Sequence, residues 1–254
     1  MGHGVACSTP QEVAEQSDYI FYCVGDSDMA RSVTLGPDGL LQGVKPGTVV
    51  ADCSTILPAT SREIGKAFLA RGAQFLDAPC TGSVPGAENA TLTFMVGGDR
   101  NAFESAKPYL QMMGTNLFYC GGPGQGLHAK LAQNLILACM MEAFAEGIVL
   151  STKAGLDPNL MLSILNSSAA KSGLIAYKAP FIFARNFQTN FSTKWMAKDV
   201  TMALEVARSL DIPLPITAPT EQVLRAAIAE GRGNDDFCSV VQTLERWAGI
   251  TVEA

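Results

Sequence analysis

Residues 116–131, Asn116-Leu117-Phe118-Tyr119-Cys120-Gly121-Gly122-Pro123-Gly124-Gln125-Gly126-Leu127-His128-Ala129-Lys130-Leu131, divide the chain into two kinds of sequence. A short β-rich run ends at Cys120, the Gly-Gly-Pro-Gly that follows is a turn, and from Leu127 apolar residues recur at helical spacing. Upstream, between Pro10 and Gly122, strand and helix signals alternate. Strands are predicted at residues 19–24, 48–53, 74–77, 92–96 and 116–120, and helices at 11–16, 28–33, 60–71 and 101–112. That alternation is the signature of a mostly parallel sheet flanked by helices. Downstream the strand signals stop, and helices are predicted at 127–154, 158–166, 193–210, 217–229 and 239–247. The fold class is therefore α/β followed by all-α, with domains at 1–122 and 123–254. The helix at 127–154 is apolar on nearly all sides and is expected to be buried centrally. Residues 186–190 and 231–236 read as loose connections.

Composition narrows the function classes. With 48% hydrophobic residues in 254, the chain has ample material for a large core. Its 18 Lys+Arg against 24 Asp+Glu, a net charge of −6 without a basic cluster, argue against a nucleic-acid partner. The seven cysteines are scattered, mostly in apolar runs, and read as reduced, buried thiols. Without a Cys-x-x-Cys pair, and with only His3 and His128 as imidazoles, zinc chemistry has neither ligands nor spacing. The first residues carry no basic region or apolar stretch of signal-peptide kind. Residues 127–150 are interrupted by Lys130, Gln133, Asn134, Glu142 and Glu146, which argues against a membrane span. A soluble protein with no membrane partner is expected, cytoplasmic or alternatively mitochondrial.

Several groups of residues could carry chemistry. Asp77-Ala78-Pro79-Cys80-Thr81-Gly82-Ser83 follows a predicted strand, where open α/β sheets bind ligands. The hydroxyls of Thr81 and Ser83 and the backbone around Gly82 could hold a carboxylate, although the same residues also make an ordinary turn. Lys130 and Asn134 share a face near the start of a helix. A lysine among Leu127, Ala129, Leu131 and Ala132 either snorkels at the helix edge or faces a cleft, within reach of Asn134 or of residues 81–83, where it can donate a proton to a developing alkoxide. In Met196-Ala197-Lys198-Asp199 the adjacent charges diverge by about 100° around the helix and read as a solvated face. His128 reads as structural.

Taken together, the motifs Asp52-Cys53-Ser54-Thr55-Ile56, Asp77-Ala78-Pro79, Leu92-Thr93-Phe94-Met95-Val96-Gly97-Gly98, Gly124-x-Gly126-x-x-x-Lys130, Leu156-Asp157-Pro158, Met196-Ala197-Lys198-Asp199-Val200 and Asp236-Phe237-Cys238-Ser239-Val240 resemble, in order and spacing, the β-hydroxyacid dehydrogenases, and among them the hydroxyisobutyrate branch. The resemblance implies a Rossmann-like parallel sheet, here truncated, followed by a helical domain like that of 6-phosphogluconate dehydrogenase. It implies hydride transfer between NAD or NADP and a small, 3-hydroxyisobutyrate-like hydroxy acid, with the hard step belonging to the cofactor. Lys130 would be the catalytic acid/base, supported by Asn134. Thr81, Gly82 and Ser83 would bind substrate, and Val24, Gly25, Thr55 and Lys198 the cofactor. A homodimer or higher homo-oligomer through the helical domain is expected, on surfaces that include Met140, Met141, Phe181, Phe183 and Trp195.

Departures from the family pattern shape the expectation. Thr81-Gly82-Ser83 replaces a usual Ser-Gly-Gly, Ala90 stands where glycine is usual, and Val24-Gly25 replaces a Leu-Pro. The Gly-Arg and tryptophan typical of the hydroxyisobutyrate enzymes are missing from residues 166–172, which leaves the hydroxy acid open. The family's opening strand, Gly-x-Gly-x-x-Gly turn, helix and second strand have no counterpart in this sequence. Weak cofactor binding and an unpaired apolar edge at residues 19–24 are expected. The alternative reading is a non-catalytic remnant that serves as an interaction or oligomerisation module. An acyl or phosphoryl transferase using Ser54 or Cys80 lacks a histidine partner and a phosphate loop.

Overall fold

The computed structural model describes residues 4–253. It forms two compact units, one up to Leu131 and one from Ala132 on.

The first unit begins with helix α1 (Pro10–Glu15), started by the Thr9 side chain, which accepts from Glu12 N. Strand β1 (Tyr19–Tyr22), helices α2 (Ser27–Leu35) and α3 (Leu40–Gly43), strand β2 (Val49–Asp52), helix α4 (Pro58–Ala70) and strand β3 (Gln74–Asp77) follow. Strand β4 (Cys80–Thr81), helix α5 (Ser83–Glu88), strand β5 (Leu92–Gly97), helix α6 (Arg100–Leu110) and strand β6 (Gly114–Gly121) complete the unit before helix α7 (Gln125–Lys153). The sheet runs β1-β2-β3-β5-β4, with β6 paired to β5. Strands β1, β2 and β3 are parallel and in register from Tyr19↔Val49 and Val49↔Gln74. β5 is antiparallel to β3 and β4 but parallel to β6, so the sheet is mixed. Strand β2 is buried along its length, and β1 beside it lies at the edge of the sheet among the described residues. One layer packs Ile20, Val50, Ile64 and Phe68, and the other Leu76, Phe94, Val96 and Phe103.

The alternation of strand and helix signals does not show α3, β4 or α5. Ser83-Val84-Pro85-Gly86 reads as a turn, yet a proline in the first helical turn forfeits no intrahelical bond, so α5 forms.

The second unit continues α7 and adds α8 (Pro158–Asn166), α9 (Gly173–Phe183), α10 (Thr193–Ser209), α11 (Thr217–Ala227), a π turn (Ile228–Arg232), a 3-10 turn (Phe237–Ser239) and α12 (Val240–Ala248). Asp157 and Ser172 cap α8 and α9 through Leu160 N and Ile175 N. Helix α9 was absent from the prediction, because its apolar run is broken in the sequence by Lys178 and Pro180. Its core holds Met141, Ile148, Ile182, Met196, Val200 and Val241. By length and composition α7 could cross a bilayer, but Ala138, Met141, Phe144, Ala145, Ile148 and Val149 of that same helix are core residues of this unit. The helix is not buried all round as expected: Ile136 and Leu150 remain 54% and 73% exposed.

The connections expected to be loose are tied down by the Asp236 carboxylate. It accepts from Asn190 N, Phe191 N and Cys238 N at 3.1, 3.2 and 3.1 Å, and Lys178 Nζ donates to both its oxygens at 2.8 Å. Buried Lys178 and Asp236 thereby hold α9, the segment before α10 and the 3-10 turn together.

Candidate active site

In the first unit the site grows from the carboxyl end of β3. Asp77 is 1% exposed, and its Oδ1 accepts from Gly124 N at 2.7 Å while Oδ2 accepts from Leu127 N at 3.0 Å. Two of the N–H groups that a helix start leaves unsatisfied are thus taken up at the head of α7. Burial pushes the Asp77 carboxyl up to about 6, against the pull of these backbone donors. Farther along α7, Lys130 is only 7% exposed, which excludes a snorkelling lysine at a solvated edge. Its charge draws the Cys80 thiol down against burial, which raises that thiol, so the ammonium lies near β4, one residue before Thr81. His128 has its basicity lowered by burial and by Arg62 and stays neutral at pH 7.

The loop after β4 is half-buried at Thr81 and exposed at Gly82 and Ser83. Gly82 takes φ +136°, but Ser83 and Ala90 take φ of +56° and +53°, the left-handed region that glycine occupies without strain. Both stand where the family pattern has glycine. The added side chains are therefore bought with backbone strain on either side of α5.

The carboxyl ends of β1 and β2 form a second, uncharged group of donors. Val24 N donates to Ser54 Oγ at 2.8 Å, Ser54 N to Asp52 Oδ1 at 2.8 Å, and Leu57 N to Ser27 Oγ at 3.1 Å. These bonds fix the loops that carry Val24, Gly25 and Thr55, and α4 starts beside them without a side-chain cap. Val24, Gly25 and Thr55 are half-buried at the carboxyl ends of adjacent parallel strands, where open α/β sheets bind ligands. Buried Ser54 serves this scaffold. Burial raises the Cys53 thiol, with Cys80, Cys23 and Asp52 adding to it, and burial beside Asp52 keeps the Tyr22 phenol protonated. Of the cysteines, expected to be buried throughout, only Cys238 is fully so and Cys23 is exposed.

In the second unit, Asn134 is 2% exposed and its Nδ2 donates to Asp199 Oδ2 at 2.6 Å. Asp199 is buried as well, with Oδ1 3.1 Å from Lys198 Nζ, which also lies 5.5 Å from the Trp195 ring centre. The expected solvated face is therefore wrong. Asp199 falls three residues after Met196 and four before Ala203, both buried, so it shares the inward stripe of α10. That periodicity was visible in the sequence; the adjacency of the two charges hid it. Asp77 and Asp199, absent from the sequence-based site, are the carboxylates that hold the head of α7 and the Asn134 amide.

The oligomer surface also needs correction. Met141 and Phe183 are 1% and 7% exposed and belong to the core, whereas the exposed apolar residues of this unit include Ile136, Leu150, Leu160, Ile164, Ile216 and Trp247.

Comparison with known proteins agrees with this layout. Residues 2–122 match the family model described as the NAD binding domain of 6-phosphogluconate dehydrogenase. Residues 124–244 match that described as NAD-binding of NADP-dependent 3-hydroxyisobutyrate dehydrogenase. The chain is 35% identical over 248 residues to 2-(hydroxymethyl)glutarate dehydrogenase of Eubacterium barkeri, covering 97% of this chain and 82% of that protein. It is 38% identical over 244 residues to mitochondrial 3-hydroxyisobutyrate dehydrogenase of Mus musculus, covering 93% and 73%. The solved structure of Mycobacterium tuberculosis 3-hydroxyisobutyrate dehydrogenase with L-serine superposes with a TM-score of 0.86 at 28% identity, covering 94% of this chain and 83% of that one. The chain, with its sheet unit, its helical unit and a buried lysine at the head of α7, belongs to the β-hydroxyacid dehydrogenase family of NAD(P)-using oxidoreductases.

Proposed function

We propose that the chain acts on a small acid with a hydroxyl β to its carboxylate, and that Lys130 is the acid/base of the reaction. The observation that carries this is the burial of Lys130 beside β4, next to half-buried Thr81 and exposed Gly82 and Ser83, whose hydroxyls and backbone could hold a carboxylate. The names of the relatives, 2-(hydroxymethyl)glutarate and 3-hydroxyisobutyrate dehydrogenase, describe acids of this class.

Bound NAD(P) supplies the acceptor, or in reverse the donor, of the hydride at the hydroxyl-bearing carbon. Thr81, Gly82 and Ser83 bind the substrate carboxylate. Lys130 Nζ takes the hydroxyl proton on oxidation as the neutral amine and, as the ammonium, gives a proton to the carbonyl oxygen on reduction. Asn134, held by Asp199, supports the lysine from one helical turn on. The family resemblance assigns the cofactor contacts to Val24, Gly25 and Thr55 and also to Lys198. We further propose that residues 1–254 taken by themselves bind NAD(P) weakly, since remote cofactor contacts position the reacting end and no Gly-x-Gly-x-x-Gly turn is among these residues. The exposed apolar residues Ile136, Leu150 and Trp247 support a homodimer through the helical unit.

Titrating NADH and NADPH into the chain and assaying small β-hydroxy acids tests this reading. Turnover that falls about 10²–10⁴-fold in Lys130→Ala is the expected result. Turnover indifferent to that substitution refutes the role of Lys130, and micromolar cofactor binding refutes the weak-binding expectation.

A further inference from the structure

We propose that Asp77 is a positioning residue: its carboxylate ties the stem of the substrate loop to the head of α7, and so sets where Lys130 stands relative to Thr81–Ser83. The inference rests on the acid/base reading of Lys130 above.

The way α7 begins carries the argument. Helices α1, α2, α6, α8 and α9 are capped locally, by Thr9, Asp26, Asp99, Asp157 and Ser172, each three residues from the N–H it accepts. Helix α7 instead uses a carboxylate 47 and 50 residues away in sequence, on Gly124 N and Leu127 N. Asp77 ends β3, and four residues later Thr81 opens the proposed carboxylate loop. On the helix, Lys130 follows Leu127 by three residues and so lies on the adjoining face. One carboxylate therefore connects the group that would hold the substrate with the group that would move its proton.

The surroundings leave this joint little slack. A Cβ on Gly97 would stand 2.7 Å from both Asp77 carboxylate oxygens, and one on Gly126 would stand 2.2 Å from Met95 O. Backbone of β3, β5 and α7 meets at contact distance only because both positions are glycine. The titratable groups facing the joint are Cys120 from β6, whose thiol Asp77 helps to raise, Arg62 from α4 beside Gly124, and His128 on α7. Burial makes an ionised anchor here costly, and a local serine or aspartate before Gln125 would cap the helix at the surface instead.

The test uses the intact chain in two ways. In the unmodified protein, NMR across pH 4.5–8 should show the Gly124 and Leu127 amide protons titrating with Asp77 near its raised value of about 6, and the Lys130 side-chain signal moving with the same midpoint. The His128 imidazole is followed by its own resonances. A Lys130 signal indifferent to the Asp77 titration overturns the proposal whether or not the chain has turnover, so this outcome is separate from failure of the acid/base reading, which Lys130→Ala decides. In the second arm, Asp77→Asn is expected to lower kcat about a hundred-fold, the scale of an ångström-sized misplacement, with KM for the hydroxy acid nearly unchanged. Asp77→Glu, which keeps the charge but lengthens the tether, should retain the protection of the Gly124 and Leu127 amides without restoring kcat. Full kcat in a folded Asp77→Asn overturns the proposal, and if that variant does not fold the titration of the unmodified chain decides.

Discussion

Replacing Lys178 by methionine removes one half of the most enclosed ion pair in the helical unit. The lysine and Asp236 side chains are 4% and 2% exposed, and Nζ reaches both carboxylate oxygens at 2.8 Å. Breaking a buried pair from one side costs about 3–5 kcal/mol, because the remaining charge loses its partner without regaining water. Here Asp236 keeps three backbone donors, which places the cost toward the lower end. Lys178 Nζ also lies 4.8, 5.0 and 5.8 Å from the ring centres of Tyr177, Phe237 and Phe181, contacts whose cation–π part methionine forfeits while keeping the apolar stem. We expect a loss of about 3–4 kcal/mol. Both tryptophans, Trp195 and Trp247, belong to this unit, so urea unfolding followed by intrinsic fluorescence reads it selectively. At about 1–3 kcal/mol per molar urea, the midpoint should fall by roughly 1–4 M with the slope unchanged. A loss below about 1 kcal/mol would show that the pair adds no more than an exposed salt bridge does.

Other outcomes follow from the same structure. Ser83→Gly and Ala90→Gly, each relieving a left-handed backbone, should each stabilise the sheet unit by about 0.5–1 kcal/mol in denaturant titrations, after glycine's own entropy cost is deducted from the strain; destabilisation would mean that these side chains make compensating contacts. Glu142 is buried, neither carboxyl oxygen has a hydrogen-bond partner, and burial, with Glu146 adding to it, pushes its carboxyl up to about 7. The folded chain therefore holds a proton that the unfolded chain releases, so stability falls as pH rises from about 4.5 through 7, by on the order of 3 kcal/mol. Glu142→Gln should flatten that slope between pH 5 and 8; an identical slope in the variant would place the titration elsewhere, with Asp77, whose raised value has the same sign, as the first candidate.

How much of this was legible in the sequence depends on the kind of signal. The switch at Gly121–Gly126, strand β3 and helix α8 follow from local periodicity and turn residues, because hydrophobic spacing and the fixed φ of proline act within a few residues. Lys130 could be singled out for the same reason: a charge set among Leu127, Ala129 and Leu131 is anomalous locally. Helices α5 and α9 were hidden because Pro85, Gly86 and Pro180 are local breakers whose cost packing offsets. Strand β4 is two residues long and exists only through its pairing with Phe94 and Thr93.

The partners of the acidic residues lay outside sequence reasoning, even where, as at Asp199, helical spacing already pointed inward. Asp77, Asp199 and Asp236 each stand in a motif that can be read off the chain, yet nothing local distinguishes a carboxylate that caps a helix 47 residues away from one that faces water. The sequence alone determined the alternation of strands and helices up to Gly122, the helical run after it and the family. Only the tertiary structure decided which charges are buried and what they hold, because desolvation and hydrogen bonding depend on groups brought together from distant parts of the chain.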